Sequence, residues 1–163
     1  MERIDKVNYY LDIAQTVASR ATCLRKKYGT VIVKNDEIIS TGYCGATRGR
    51  INCCDLGECT KKKLLPDERH GGYDACRSVH SEQNAIISAS RKDMLDAELY
   101  LVGYRTENGE YEKGASPCLT CRKMIINAGI KDVYVRVNRD EYIKIEVEEW
   151  IKRDEILNGQ FQY

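Results

Sequence analysis

Apolar positions recur at three- and four-residue steps over residues 3–21, through Ile4, Val7, Leu11, Ala14, Ala18 and Ala21. That spacing predicts an amphipathic helix with one buried stripe. The period then changes. Tyr28-Gly29-Thr30-Val31-Ile32-Val33 and residues 37–43 predict two strands, and Lys34-Asn35-Asp36 between them suits an antiparallel hairpin. Residues 79–91 return to helical spacing, with Ala85, Ile86 and Ala89 on the buried side. Residues 98–102 predict a third strand, and Asn108-Gly109 a tight turn at the tip of an excursion over 105–114. Pro117 to Ala128 predicts a helix with Ser116 as N-cap, Pro117 in the first turn and Gly129 closing it. Residues 132–137 predict a fourth strand. Over 141–153, Ile143, Ile145 and Val147 alternate as in a strand, while Ile143, Val147, Trp150 and Ile151 fit a helix. Length and charge favour the helix. This order predicts an α/β layered fold in which the strands joined by helices lie parallel.

Between Cys44 and Arg77 no period holds. The stretch carries Gly45, Gly49, Gly57, Pro66, Gly71 and Gly72, together with five of the eight cysteines. A compact domain rarely keeps so long an irregular segment unless something pins it, and a metal is the expected pin. At 163 residues the chain (1–163) is expected to form one domain with a real core. Lys plus Arg number 26 against 25 Asp plus Glu, so nothing in the total favours a polyanionic partner, and nucleic acid is not expected. Lys61-Lys62-Lys63, with Arg48 and Arg50, fits a solvated loop face better than a phosphate site. No apolar run is long enough for a bilayer, so no membrane partner is expected. Residues 1–5 lack the apolar core of a signal peptide. The expected setting is cytoplasmic, where thiols stay reduced and metal ligation accounts for several of them.

The candidate chemistry lies in two short stretches. His80-Ser81-Glu82 is His-x-Glu, and Pro117-Cys118-Leu119-Thr120-Cys121 is Pro-Cys-x-x-Cys. In this order they form the signature of zinc-dependent nucleobase deaminases. Each half alone is weak. A Cys-x-x-Cys is more often structural zinc or redox chemistry, and a lone Glu82 would be a solvated carboxylate. Together they supply what a hydrolytic zinc requires, three protein ligands (His80, Cys118, Cys121) and an open position for water. Both motifs fall at predicted helix starts, where partial positive charge favours thiolate. Glu82 can carry a proton between water, ring nitrogen and leaving amine, a task zinc ligation does not require. His80 and Glu82 are two residues apart, so both reach one metal only if it sits over the helix end.

The chain resembles the deoxycytidylate deaminase family of the cytidine deaminase-like superfamily. The likeness covers most of residues 20–137, including residues 29–33 and 38–43, Glu68-Arg69-His70, His80 to Ile87, Pro117 to Cys121, and Lys123 to Lys131. It implies a three-layer α/β/α sandwich with a mixed sheet of about five strands. It also implies one catalytic zinc and hydrolytic deamination of a cytosine nucleotide, dCMP to dUMP and ammonia. Homo-oligomers whose interfaces border the active sites are implied too, as is regulation by pyrimidine deoxynucleoside triphosphates. A second, structural zinc is implied by the match of its ligands to Cys23, Cys53, His70 and Cys76, with Cys54 and Cys59 as competitors. Two departures bear on the substrate. Where the family has Asn, which hydrogen-bonds the sugar hydroxyl, followed by Gly, this chain has Cys44 followed by Gly45, and cysteine is a weak hydrogen-bonding group. Residues 103–115 form an insertion just before two metal ligands, either reshaping a pocket wall or making a surface hairpin. Other readings therefore stay open. They are a deaminase of another amino-heterocycle or modified cytosine nucleotide, a nucleic-acid editing module, and a non-catalytic zinc scaffold.

Overall fold

A computed structural model describes residues 2–67 and 72–160. Helix α1 (Lys6–Ala18) begins at Asp5, whose carboxylate accepts the Asn8 N–H at 3.0 Å, a side-chain cap that stops the helix short of residue 3. Strands β1 (Lys26–Lys34) and β2 (Glu37–Tyr43) form the predicted hairpin. Its turn residues Asn35 and Asp36 both take positive φ, as a tight hairpin turn requires.

The segment without a period is a series of short elements. They are β3 (Gly45–Ala46), α2 (Cys53–Leu56), α3 (Thr60–Leu64), a single 3-10 turn (Tyr73–Ala75) and β4 (Ser78–Val79). β3 pairs with β4, setting Gly45 opposite Val79. The helix predicted over 79–91 is instead two helices, α4 (Ser81–Ile87) and α5 (Arg91–Met94), because the Ser90 side chain accepts the Asp93 N–H and opens a new helix. β5 (Glu98–Arg105), α6 (Leu119–Ala128) and β6 (Asp132–Arg136) follow. Residues 141–153 correct the helical expectation by being both elements, β7 (Tyr142–Glu146) and then α7 (Val147–Arg153). The alternation of Ile143 and Ile145 governs the first half, and Val147 and Trp150 bury the helical half.

The five-stranded sheet has the order β2-β1-β5-β6-β7. β5 and β6, joined through α6, are parallel as expected, and the other neighbours are antiparallel. Alternation along the strands builds two cores. Val31, Val33, Tyr100, Val102 and Tyr134 face α1. Ile32, Leu99, Leu101, Val133 and Val135 pack with Ala85, Ile125 and Trp150 of the helices on the other side. The result is a three-layer α/β/α sandwich.

Candidate active site

Helix α4 lies close against the hairpin because Gly42 has no side chain. A Cβ there would fall 2.3 Å from the Ser81 carbonyl oxygen and 2.4 Å from the Ala85 nitrogen. Two polar ties hold the approach: Ser40 Oγ donates to the Ala85 carbonyl at 2.7 Å, and Asn84 Nδ2 donates to the Tyr43 carbonyl at 2.9 Å. At the start of α4, the His80 N–H donates to Gln83 Oε1 at 3.0 Å. His80 is thus the N-cap of α4, with Glu82 in its first turn. At the second helix the expected cap shifts. Cys118, not Ser116, is the N-cap of α6, and Pro117 precedes the helix. Arg122 fixes this entry, its Nε donating to the Pro117 carbonyl at 2.9 Å while its guanidinium pairs with Glu155 at 3.0 Å. With Cys118 at the cap and Cys121 three residues on, both thiols sit over the helix start.

The two helix starts meet. His80 Nδ1 lies 3.5 Å from Cys118 Sγ and 3.4 Å from Cys121 Sγ. All three ligand atoms lie within 4.8 Å of one another, the only such His, Cys, Asp or Glu set among the described residues. One imidazole nitrogen and two sulfurs at this spacing suit zinc, which takes nitrogen and thiolate ligands in tetrahedral sites. The Cys121 hydrogen bond, and then His80, bring the Cys118 thiol down to about 4 against the opposing effect of burial. Cys121, sharing that hydrogen bond in a buried place, is pushed up. The Cys118 hydrogen bond raises His80. Glu82 is 5% exposed, and burial raises its carboxyl above the usual range.

Three groups around this set carry no sequence signal of their own. Tyr73, from the 3-10 turn, meets the His80 ring edge-on at 5.1 Å between centroids, and Lys61 Nζ lies 5.0 Å over the Tyr73 ring. The Tyr28 phenol is raised by burial, then by the charge of Glu112, from the insertion, and of Glu82. Thr30 Oγ1 and Ser81 Oγ are 2.8 Å apart behind Glu82. Only contact geometry reveals them, since Tyr73 sits in the stretch without a period and Thr30 reads as an ordinary strand residue.

Cys44 departs from the sugar-contacting place expected of it. It is buried, its sulfur accepts the Tyr28 N–H at 3.3 Å and its thiol donates to the Lys26 carbonyl at 3.5 Å, so it faces β1 rather than open space. Burial raises it to about 12. Gly45 is also buried, paired with Val79 at the end of β4, just before His80. The expected second metal set comes together only in part. Burial and then the neighbouring thiols of Cys23, Cys76 and Cys59 raise Cys53, which groups these four cysteines, but they do not form a compact ligand set among the described residues. His70 lies outside the described residues. The 103–115 insertion is a hairpin rooted in β5. Tyr104 bridges to Tyr111, whose hydroxyl donates to Gln15 of α1 at 2.7 Å, and Glu112 pairs with Lys26 at 3.2 Å. No helix among the described residues is long and apolar enough to cross a membrane.

A His-Cys-Cys set and a buried carboxylate over two helix starts on a mixed five-stranded sheet define a zinc-dependent deaminase scaffold. Residues 4–137 match the family described as the cytidine and deoxycytidylate deaminase zinc-binding region, and the chain belongs to that family. It is 32% identical over 137 residues to the deoxycytidylate deaminase of Mycobacterium phage D29, covering 82% of this chain and 95% of the phage protein. It is 32% identical over 129 residues to the deoxycytidylate deaminase of Schizosaccharomyces pombe, covering 77% of this chain but only 35% of the yeast protein. Among solved structures, dCMP deaminase of cyanophage S-TIM5 in complex with dCMP and dUMP superposes with a TM-score of 0.58 at 28% identity, covering 84% of this chain and 85% of that one.

Proposed function

We propose that this protein hydrolyses the amino group of dCMP, giving dUMP and ammonia. The observation that carries the reading is the buried Glu82 beside His80, Cys118 and Cys121, the residues assigned to zinc. The related cyanophage enzyme holds dCMP and dUMP, which supports a nucleotide of this class as substrate. When bound, zinc supplies Lewis acidity that brings the pKa of a water to about 7. Glu82 takes one proton from the attacking water and passes it to ring N3. A second proton goes to the exocyclic nitrogen, the C4–N bond breaks with ammonia as leaving group, and C4 keeps the water oxygen as its carbonyl. Raised by burial, Glu82 suits a group that must both gain and lose a proton. The edge of Tyr73 against His80 and the phenol of Tyr28 bound the space available to the ring. The test is an ammonia-release panel of cytosine nucleotides, nucleosides and other amino-heterocycles on zinc-loaded protein, with Glu82→Ala as blank. Turnover of dCMP that disappears in the blank is expected; inactivity on dCMP beside turnover of another ring overturns the reading.

That second outcome has its own support. Cys44 faces β1, and Glu112 brings an insertion carboxylate toward Tyr28, so a sugar or base different from that of dCMP is the competing substrate. Cys23, Cys53 and Cys76, with His70, are proposed to hold a structural zinc that pins the segment between β3 and β4. Two zinc ions per chain, falling to one in Cys53→Ser, are expected by elemental analysis. The exposed Ile38 and Tyr43 on edge strand β2, and Ile87 at the end of α4, support a homo-oligomer. A deoxynucleoside triphosphate effector and a cytoplasmic setting complete the reading; shifted dCMP saturation on adding dCTP or dTTP tests the former.

A further inference from the structure

Glu82 sits near the start of a seven-residue helix, and its carboxylate could in principle present either oxygen to a substrate. Two hydroxyls outside the metal set remove that freedom. Ser81 Oγ lies 3.1 Å from Glu82 Oε2, and Thr30 Oγ1 lies 2.8 Å from Ser81 Oγ. Both hydroxyl residues are wholly buried. Thr30 occupies the middle of β1, paired with Gly42 on one side and Leu101 on the other, so its backbone is fixed from both edges. Its β-branched side chain has few rotamers. The direction of the chain follows from chemistry. An ionised carboxylate only accepts, so the Ser81 proton is committed to Oε2, and the Ser81 oxygen is left to accept the Thr30 proton.

We propose that Thr30 and Ser81 are positioning residues that reserve Oε2 of Glu82 as a fixed acceptor and leave Oε1 to take and return the proton. The assignment rests on the proposed role of Glu82. Oε2 accepts from Ser81 whether Oε1 is protonated or bare, so the relay holds through a turnover. The carboxylate then needs no reorientation between taking a proton and delivering it, a form of preorganisation. Thr30 anchors the arrangement to the centre of the sheet rather than to the short helix that carries Glu82.

A double-mutant cycle on zinc-loaded protein tests this. Ser81→Ala removes the donor to a charged group and is expected to lower kcat about tenfold, with KM changed by less than about twofold. Thr30→Val removes only the orienting hydroxyl and is expected to lower kcat about threefold, with Thr30→Ser restoring most of it. In the Ser81→Ala background Thr30→Val should cost nothing further, because nothing remains to be oriented. Losses that multiply in the double variant, or that fall on KM, overturn the relay, as does Thr30→Val at full kcat. Equal urea midpoints across the set separate positioning from lost folding. A crystal structure of zinc-loaded Ser81→Ala gives a reading independent of substrate. A Glu82 carboxylate rotated or split between two orientations is expected, and one unchanged overturns the proposal. Should the native protein deaminate nothing in the panel, the proposed function fails and the crystal structure alone decides the relay.

Discussion

Gly42 and Gly29 stand on neighbouring strands and admit helices on opposite faces of the sheet. A Cβ at Gly42 would lie 2.3 Å from the Ser81 carbonyl oxygen of α4, and one at Gly29 would lie 2.2 Å from the Ala14 carbonyl oxygen of α1. Neither contact can relax by turning a side chain, because both struck atoms are helix backbone. The helix must retreat by roughly 1 Å, an overpacking that costs about 1–3 kcal/mol and falls at the upper end where backbone is met. The stability losses of Gly42→Ala and Gly29→Ala should therefore be alike. Their catalytic consequences should not be. Retreat of α4 carries Ser81, Glu82 and the His80 cap with it, and a displacement of about 1 Å in catalytic groups can cost about 100-fold in rate. Retreat of α1 moves no group of the candidate site. The assay pairs urea denaturation with kcat for the best substrate, on zinc-loaded protein well below the unfolding transition. Gly42→Ala should lose at least about ten times more kcat than Gly29→Ala at similar midpoints. Equal losses of kcat would show that α4 is not positioned by this contact and would refute the reasoning.

Three further outcomes follow from other parts of the molecule. Arg136 has a fully buried side chain, with bonds to Asp12 at 2.7 Å, Gln15 at 3.0 Å and the Asn8 side chain at 3.1 Å. Arg136→Leu should cost about 2 kcal/mol by denaturant unfolding, below the about 3–5 kcal/mol of a broken buried pair, because Asp12 is 32% exposed and keeps Arg139. Tyr10 and Tyr134 are raised to about 12, Tyr10 by burial and then by the hydrogen bond it donates to Asp36, Tyr134 by burial and then by Glu98. A folded-state pKa above the unfolded value of about 10 contributes stability below that pH and loses it on the way to the folded value. Unfolding followed by circular dichroism should therefore set in steeply between pH 10 and 12, with phenolate absorbance rising together with it. Chelating the zinc should lower the melting temperature and re-addition restore it, equally in Glu82→Gln, since that side chain is not a ligand in this reading.

The sheet was legible because its strands alternate cleanly. Val31 and Val33 point one way and Ile32 the other, so the two cores are written in the sequence. The site was legible because zinc chemistry demands particular residues at fixed intervals, and His80, Cys118 and Cys121 do meet. Element ends were less so. Ser116 and Pro117 look like a cap and a first turn, yet Arg122 reaches back to the Pro117 carbonyl and the helix starts at Cys118. Local propensity gives way there to an Arg122 side chain that bonds the Pro117 carbonyl and, across the fold, Glu155. Residues 141–153 satisfied two periods because they contain two elements, and a window spanning both averages them. Thr30 and Tyr73 had no signal, because the packing of α4 on β1 sets Thr30 against Ser81, and an irregular turn brings Tyr73 against His80.

The two departures from the family pattern, Cys44 and the insertion, lie far apart in sequence but converge on one side chain. The Cys44 thiol binds the β1 backbone on either side of Lys27, just before Tyr28, accepting from the Tyr28 N–H and donating to the Lys26 carbonyl. Gly103, at the root of the insertion and opposite Tyr28 in the ladder, leaves room for the ring; a Cβ there would lie 2.2 Å from Tyr28 Cε1. Glu112, on the returning arm of the same hairpin, pairs with Lys26 and adds its charge to that of Glu82 at the Tyr28 phenol. A partly buried phenol with two carboxylates acting on it stays protonated and is a donor. The two departures thus meet at Tyr28, and Cys44 acts on the backbone that leads into this ring rather than through a thiol facing open space.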